Sequence, residues 1–192
     1  KSKEKKEPSI ANMYESLSRV LQRYHCYPMR SFAIIKNRKK HIYTATAQFP
    51  MFMFDHGTWK KIYKPLEEKK EHRFMYMGDK PADVLNGYNE ALKELDKLKA
   101  EEEKRLIATG KDDNEAASEA EKLKHDNIIL CSGESDSMNV AAMGYYPVWM
   151  NSETAKLHGK LYAKLKGVGK NIYNLPDIDD TGIREAHALA LE

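Results

Sequence analysis

Five carboxylates fall in two short loops, each of which follows an apolar run. They are Glu134 and Asp136 in the loop 132–136, and Asp177, Asp179 and Asp180 in the loop 176–182. Crowded carboxylates repel one another, so such a group normally requires a cation, and hard oxygen ligands favour Mg²⁺ or Mn²⁺ over zinc. A metal held this way keeps positions open for phosphates, which suits phosphoryl or nucleotidyl transfer. The alternative is that the acids of the second loop only cap the helix that follows.

The pattern around these loops predicts that both lie at one edge of a parallel sheet. Apolar runs at 127–131, 146–150 and 170–175 predict three short strands, with helices between and after them. Ser152 is expected to cap the second helix, and Thr181 to open the third. A β-α-β-α-β-α order predicts right-handed crossovers, and functional groups then collect in the loops at the carboxyl ends of the strands.

Residues 126–192 resemble a Toprim domain, the domain found in replicative primases, topoisomerases and some nucleases. The family pattern is E-G-x-x-D, an apolar helix and Gly after the first strand, and D-x-D-x-x-G after the third. The matching positions here are Gly133, Asp136 and Gly144 for the first motif, and Asp177, Asp179 and Gly182 for the second, with Asp180 inside it. The resemblance implies an α/β Toprim fold, a Rossmann-like parallel sheet truncated at its C-terminal end, and a site for Mg²⁺ or Mn²⁺.

Ser132 stands where Toprim proteins have a glutamate that acts as a general base or a metal-side carboxylate. Two interpretations stay open. In the first, Glu134 takes over from the same loop, so that Glu134, Asp177 and Asp179 form the catalytic and metal-binding set. In the second, the site is weakened and the domain only binds its partner.

Charge is divided unevenly along the chain. Residues 1–80 carry 18 Lys and Arg against 8 Asp and Glu, whereas residues 81–192 carry 14 against 21. A basic half favours a polyanionic partner. Its cations alternate with aromatic residues between positions 59 and 76, which suits single-strand binding or simply reflects a sheet with aromatics inside and lysines outside. The candidate nucleic-acid-binding cations are Lys60, Lys61, Lys64, Lys69, Lys70, Arg73 and Lys80.

The order of elements predicts three parts. They are a small basic α+β subdomain (1–80), a helical or charged connector (81–125) and the Toprim-like domain (126–192). Pro81 is expected near the start of the connector helix. The polar stretch 101–124 is interpreted as a helical arm, a solvated linker or a partly disordered segment, and as the natural subdomain boundary.

Within the basic subdomain, apolar spacing predicts a helix over 11–24, followed by a mostly antiparallel sheet over 31–77. The chain is expected to reverse at Lys39-Lys40 and again in a hairpin turn at Asp55–Gly57.

This first half resembles the basic subdomain that precedes Toprim in bacterial and phage primases, including the primase-helicase type. The likeness depends on the order of elements, the mixture of basic and aromatic residues, and the segment 78–91. It implies a DNA primase that binds single-stranded template and uses nucleoside triphosphates for Mg²⁺-dependent primer synthesis, with a helicase domain in cis or trans. The alternatives are a non-catalytic single-stranded-DNA-binding module of a primase-helicase and, more weakly, a Toprim nuclease or topoisomerase.

Composition limits the remaining classes. Two cysteines lie far apart in the 192 residues, which excludes a zinc ribbon or a disulfide framework within this chain. The same cysteine pattern fits a reducing, intracellular setting, so we expect a cytoplasmic protein. No apolar run approaches the roughly 18 residues of a membrane helix, so we expect no membrane partner. Because the sequence starts at Lys1 rather than Met and stops at Glu192, where another strand normally follows, we expect a fragment of a longer protein.

Overall fold

The computed structural model describes residues 10–81, 84–151 and 157–191. The chain divides into two compact units, Lys1–Ala82 and Asp83–Glu192. The first unit contains antiparallel strands, and the second contains a parallel sheet, so the fold class is mixed α/β.

The described residues of the first unit form two helices, the second of them short, and six short strands. Its elements are α1 (Ile10–Arg23), β1 (Cys26–Pro28), β2 (Ser31–Lys36), β3 (Lys39–Thr44), β4 (Phe52–Asp55), β5 (Trp59–Tyr63), α2 (Lys70–Arg73) and β6 (Phe74–Gly78). Strands β1, β4, β5 and β6 form an antiparallel sheet in that order, whereas β2 and β3 form a separate two-stranded ribbon. The antiparallel sheet expected over 31–77 is therefore two sheets, one of which also includes β1.

The turn of the ribbon differs from the sequence prediction. Reversal was expected at Lys39-Lys40, but both residues already belong to β3, and Lys36 pairs with Lys39. The turn residues are Asn37 and Arg38, with φ angles of 52° and 61°. Two-residue hairpin loops favour turns with positive φ at both central positions, and Asn adopts that conformation more readily than most residues.

The second hairpin agrees with its prediction. Asp55 ends β4, and its Oδ1 accepts a hydrogen bond of 3.0 Å from the backbone N–H of Gly57. Gly57 has φ of 83°, which glycine adopts without steric cost. Beneath this turn, the aliphatic and aromatic core of the first unit includes Trp59, Ile62 and Phe54.

The second unit has three parallel strands and five helices among its described residues. Its elements are α3 (Tyr88–Ala108), α4 (Asp113–Ala120), β7 (His125–Cys131), α5 (Glu134–Ala142), β8 (Tyr146–Trp149), α6 (Gly159–Val168), β9 (Gly169–Leu175) and α7 (Asp180–Leu191). The strand order is β8-β7-β9, so β7 lies in the centre. The predicted alternation of strands and helices is confirmed. Ser152 lies outside the described residues.

Helix α3 belongs to the core of this unit. Its Ala91 and Leu95 pack in one buried cluster with Ile128 of β7, Val148 of β8 and Leu165 of α6. The stretch 101–124 is helical over most of its length, in the second half of α3 and in α4. Of the three interpretations of that stretch, the helical one agrees with the structure.

Helix α3 starts at Tyr88 rather than near Pro81. Gly87, which precedes it, has φ of 76°, and a Cβ there would lie 2.4 Å from the carbonyl oxygen of Pro147. Asn86 and Trp149 exchange backbone hydrogen bonds of 2.9 and 3.1 Å. The chain is therefore held against β8 at Asn86, and α3 can begin only after Gly87.

Candidate functional site

The two acidic loops begin side by side because the strands before them are paired. Cys131, the last residue of β7, lies opposite Leu175, the last residue of β9. Ser132 then joins the loops: its hydroxyl donates to the carbonyl of Leu175 at 3.4 Å and accepts from the backbone N–H of Asp177 at 2.9 Å. Ser132 thus positions the second loop, a role that becomes visible only with the register of β7 against β9.

The first loop leads directly into α5. The backbone N–H and the hydroxyl of Ser137 donate to the carbonyl of Gly133 at 3.1 and 2.7 Å, which fixes the first turn. Glu134 is the first residue of this helix, and only 7% of its surface is exposed. Gly133 has extended backbone geometry and open space where a Cβ would stand. The side chain proposed to replace the missing glutamate is therefore largely buried.

The charge of Asp177, in the second loop, acts on Asp136, in the first turn of α5. Partial burial raises the pKa of Asp136, and the negative charge of Asp177 raises it further. A hydrogen bond from the backbone N–H of Asp136 opposes that shift. A carboxyl group whose ionised form is disfavoured by a neighbouring carboxylate marks a place where a bound cation would be favourable.

Asp179 has a structural role in the second loop. Its Oδ1 accepts a 2.8 Å hydrogen bond from the backbone N–H of Gly182, and its carbonyl accepts one of 3.0 Å from Ile183. These bonds cap α7, as the alternative interpretation of this loop expected, and leave Oδ2 for other contacts. Asp180, rather than Thr181, is the first residue of the helix, and its side chain is exposed.

Gly182 allows the loop to close on itself. A Cβ at this position would lie 2.3 Å from the carbonyl oxygen of Asp177 and 2.9 Å from its carbonyl carbon. Any side chain at 182 would therefore force the backbone of Asp177 to move. The presence of glycine at position 182 therefore has a steric explanation in this fold.

The chemistry of the donors suits a hard cation, but their geometry is incomplete. In the described ranges, no group of three or more His, Cys, Asp or Glu side chains is arranged to hold a metal ion. Glu134, Asp177 and Asp179 are thus not assembled as a three-ligand set. Mg²⁺ is commonly bound through only one or two carboxylates plus substrate phosphates, and the Asp136–Asp177 pair fits that mode by residue type.

Cys131 is excluded as a reactive group in the same region. Burial raises the pKa of its thiol to about 11, so the thiol stays protonated at neutral pH. A protonated, buried thiol is neither a nucleophile nor a metal ligand.

In the first unit, β5 and β6 place aromatic rings and cations on one face of the sheet. The register pairs Lys61 with Tyr76 and Tyr63 with Phe74, so these four side chains share a face. The Lys61 Nζ lies 4.1 Å from the centre of the Phe74 ring, and the Lys80 Nζ lies 4.0 Å from that of Tyr76. We call this set the aromatic–lysine face: Lys61, Tyr63, Phe74, Tyr76 and Lys80.

Rings on this face differ in what they can bind. Phe74 and Tyr76 are 41% and 43% exposed, so each can offer a ring surface to a base. Trp59 is 2% exposed and stacks on His56 with 3.9 Å between ring centres. Trp59 is therefore a core residue, and Tyr76 is the best placed of these rings for stacking.

The other predicted cations lie in different surroundings. Lys60 points to the opposite face of the sheet and forms an ion pair with Asp55. Lys64 pairs with Glu67 at 3.3 Å, and the Nε of Arg73 donates to the Glu67 carbonyl at 2.7 Å. Lys69 and Lys70 are exposed at the start of α2. The seven cations thus do not form one patch. Lys60 and Lys61 lie on opposite faces because neighbouring strand residues alternate between faces, and the other five lie outside β5 and β6.

The chain matches no known protein-family profile, no curated protein and no solved structure. No helix in the described part of the chain is long and apolar enough to cross a membrane. The Toprim and primase resemblance therefore stays a prediction based on the motifs themselves.

Proposed function

We propose that this chain is a primase-type protein with a Toprim-like second unit. In this proposal, the first unit binds single-stranded DNA template, and the loops after β7 and β9 support Mg²⁺-dependent nucleotidyl transfer for primer synthesis. The observation that carries the proposal is the effect of Asp177 on Asp136 at the carboxyl edge of the parallel sheet. The charge of Asp177 disfavours the ionised form of Asp136, so a cation bound between these two carboxylates would be favourable.

The residues of the two loops would have separate tasks. Asp136 and Asp177 would hold the metal, and Oδ2 of Asp179 is available to join them. Ser132 holds the start of the second loop next to the end of β7 through its two hydrogen bonds. When bound, Mg²⁺ would supply charge stabilisation for nucleoside triphosphate phosphates. Glu134 at the start of α5 is the candidate general base. Because its side chain is largely buried, it would have to become exposed to the substrate when the template and the nucleotide bind.

Template binding would use the aromatic–lysine face. Lys80 is exposed beside the partly exposed ring of Tyr76, and single-strand binding combines such a cation with such a ring. Lys61 is only 7% exposed, so it adds positive charge near the Phe74 ring without offering a surface contact of its own. Stacking is tolerant of sequence because every base has an aromatic face. We therefore expect this unit to bind single strands with little sequence preference.

A second candidate is a single-stranded-DNA-binding module with no catalytic activity. It is favoured by Ser132, whose hydroxyl is used in linking the loops, and by the lack of a three-ligand metal group in the described residues. This candidate keeps the template-binding face and assigns the loop pair a structural role.

The two candidates are separated by Mn²⁺ binding together with primer synthesis. Mn²⁺ titration followed by electron paramagnetic resonance, and primer synthesis on a single-stranded template, would be measured on the wild type and on Asp177→Asn. The exposed Asp126→Asn is the matched control. We expect Asp177→Asn to weaken Mn²⁺ binding at least tenfold and to abolish primers, with the control unchanged.

Other outcomes decide against catalysis. If the wild type binds single strands but neither binds millimolar Mn²⁺ nor makes primers, the binding-module candidate is correct. If Asp177→Asn binds Mn²⁺ as tightly as the wild type, the metal is elsewhere, and the proposed site is wrong.

A further inference from the structure

The tip of the β2–β3 ribbon is a concentrated positive charge. Arg38 lies in the two-residue turn and Lys36, Lys39 and Lys40 flank it, and all four are exposed. None of them forms an ion pair with a carboxylate in the part of the chain that the structure describes. The sequence from Ser16 to Phe54 contains no Asp or Glu, so no acid of that stretch can neutralise the tip.

The two faces of the ribbon have different surroundings. On one face, Phe32 stacks on Tyr43 with 4.9 Å between ring centres, and the Nζ of Lys64 lies 5.4 Å from the Tyr43 ring. The opposite face is open: Ile35 is 81% exposed and Ile42 is 63% exposed. The full set on this open face is Ser31, Ala33, Ile35, Lys40, Ile42 and Thr44.

The composition of the open face indicates what it can bind. It carries small and aliphatic side chains and no aromatic ring, so it offers no stacking surface for unpaired bases. Cations at its end can neutralise phosphates, and aliphatic side chains can contact thymine methyl groups. A ribbon of two six-residue strands is roughly 20 Å long, and a two-stranded ribbon fits the major groove of a duplex, about 12 Å wide.

We propose that the β2–β3 ribbon binds double-stranded nucleic acid, with its cationic tip on the phosphates and its Ile35–Ile42 face towards the groove. This activity goes beyond the proposed single-strand binding and does not depend on it or on the loops of the second unit. It gives the first unit two surfaces of different specificity, the aromatic–lysine face for single strands and the ribbon for duplex.

An anionic membrane is the other polyanion that a basic, partly apolar hairpin could contact. The order of residues disfavours it, because the outermost positions, 36–40, are all polar or charged. Insertion of the tip would bury these charges before Ile35 or Ile42 reached the hydrocarbon. The phosphates of a duplex need no such burial.

The test compares duplex and single-stranded DNA on charge-reversed variants of the full chain. Fluorescence anisotropy would follow a labelled 20-base-pair duplex and a labelled single strand of the same length across a salt series. The ribbon variant is Lys39→Glu/Lys40→Glu, and the matched control is Lys93→Glu/Lys104→Glu, which reverses two exposed charges on α3. We expect the ribbon variant to lose at least tenfold in duplex affinity, while single-strand affinity changes less than threefold.

The salt dependence provides a second readout. Each phosphate contact that is lost lowers the slope of log K against log salt by about 1, so the ribbon variant should lose about 2. The milder Lys39→Gln/Lys40→Gln should lie between the wild type and the reversal, and circular dichroism would check that each variant is folded.

Three results would overturn the proposal. The first is equal duplex affinity of the ribbon variant and the wild type. The second is an equal loss of duplex and single-strand binding in the ribbon variant. The third is binding of the wild type to phosphatidylserine vesicles but not to duplex, which would assign the ribbon to a membrane surface.

Discussion

The two units position their charged side chains in different ways. In the first unit, four members of the aromatic–lysine face, Lys61, Tyr63, Phe74 and Tyr76, come from paired strands, and the ladder between β5 and β6 sets their spacing. In the second unit, the carboxylates lie beyond the ends of β7 and β9, either in the second loop or in the first turn of the helix that follows, where no ladder continues. Their positions depend instead on a few specific contacts, namely the Ser132 hydroxyl, the Asp179 cap and the close approach of Gly182 to Asp177.

This difference predicts how each surface responds to mutation. A face built on a ladder should lose binding when a side chain is removed, without losing its geometry. A site built on loops should lose its geometry when a single non-ligand contact is removed. The following experiments examine this contrast, from the largest expected effect to the smallest.

Gly182→Ala should be the most damaging single change in the loops. A Cβ at 182 would lie 2.3 Å from the Asp177 carbonyl oxygen, so the loop must shift. We expect a loss of about 2–3 kcal/mol in the free energy of unfolding, measured in urea, because overpacking against backbone has little room to relax. Gly167→Ala in α6 is the control: with nothing within 4 Å of the new Cβ, it should stabilise the protein by about 0.5–1 kcal/mol. Equal effects would contradict the close-contact argument.

Tyr76→Ala should weaken binding of single-stranded DNA, with a modest loss of stability because its half-exposed ring also lies against Trp59. Stacking of a base on an aromatic ring contributes about 1–3 kcal/mol, so we expect an affinity loss of about tenfold by fluorescence anisotropy. Tyr162→Ala in α6 removes a ring of similar exposure that also has a lysine above it. If both variants lose affinity equally, the aromatic–lysine face is not the single-strand site.

Ser132→Ala should loosen the second loop without removing any charge. The variant leaves the backbone N–H of Asp177 without its 2.9 Å acceptor, which should cost about 1–2 kcal/mol of unfolding free energy. Mn²⁺ affinity should fall as well, because Asp177 is then held less firmly. The exposed Ser135→Ala should change neither quantity. If Ser132→Ala kept its stability but lost Mn²⁺ binding, Ser132 would be a ligand of the metal rather than a support for the second loop.

Asp136→Asn and Asp126→Asn should produce the smallest effects, with opposite signs. Burial and Asp177 raise the pKa of Asp136, so its ionised form lowers the stability of the folded state at neutral pH. A hydrogen bond from Lys170 lowers the pKa of Asp126, so its ionised form stabilises the folded state. Asp136→Asn should therefore be more stable than the wild type at pH 7, and Asp126→Asn less stable.

The pH dependence of these two variants follows from the same shifts. The gain of Asp136→Asn should disappear as the pH falls from the raised pKa of Asp136 to the ordinary aspartate value. The loss of Asp126→Asn should disappear only at lower pH, as Asp126 protonates below the ordinary value. Urea denaturation between pH 3 and 7 would measure both, and profiles of the same sign would contradict the assigned causes.

Much of the strand and helix pattern could be predicted because it depends on local periodicity. The three parallel strands lie where their apolar runs predict them. The start of α3 could not be predicted in this way, since Gly87 is fixed by Pro147 and Trp149, sixty residues away in sequence. The ribbon turn was misplaced by two residues because Asn37 and Arg38 lack the glycine that usually marks such turns.

The candidate site was only partly accessible to sequence reasoning. The proximity of the two loops followed from β-α-β order, but the role of Ser132 needs the register of β7 against β9. Asp179 was proposed both as ligand and as helix cap, and its 2.8 Å bond to Gly182 shows the cap. The basic residues of the ribbon were not proposed at all, although the acid-free sequence around them was a usable signal.

The Ser132 link has a consequence for substitution at this position. The glutamate of the Toprim pattern, introduced as Ser132→Glu, would remove the donor to the Leu175 carbonyl and place a carboxylate against that oxygen. It would also add a negative charge beside Asp136, whose ionised form the charge of Asp177 already disfavours. Position 132 therefore tolerates glutamate only if a compensating substitution first gives the second loop another support.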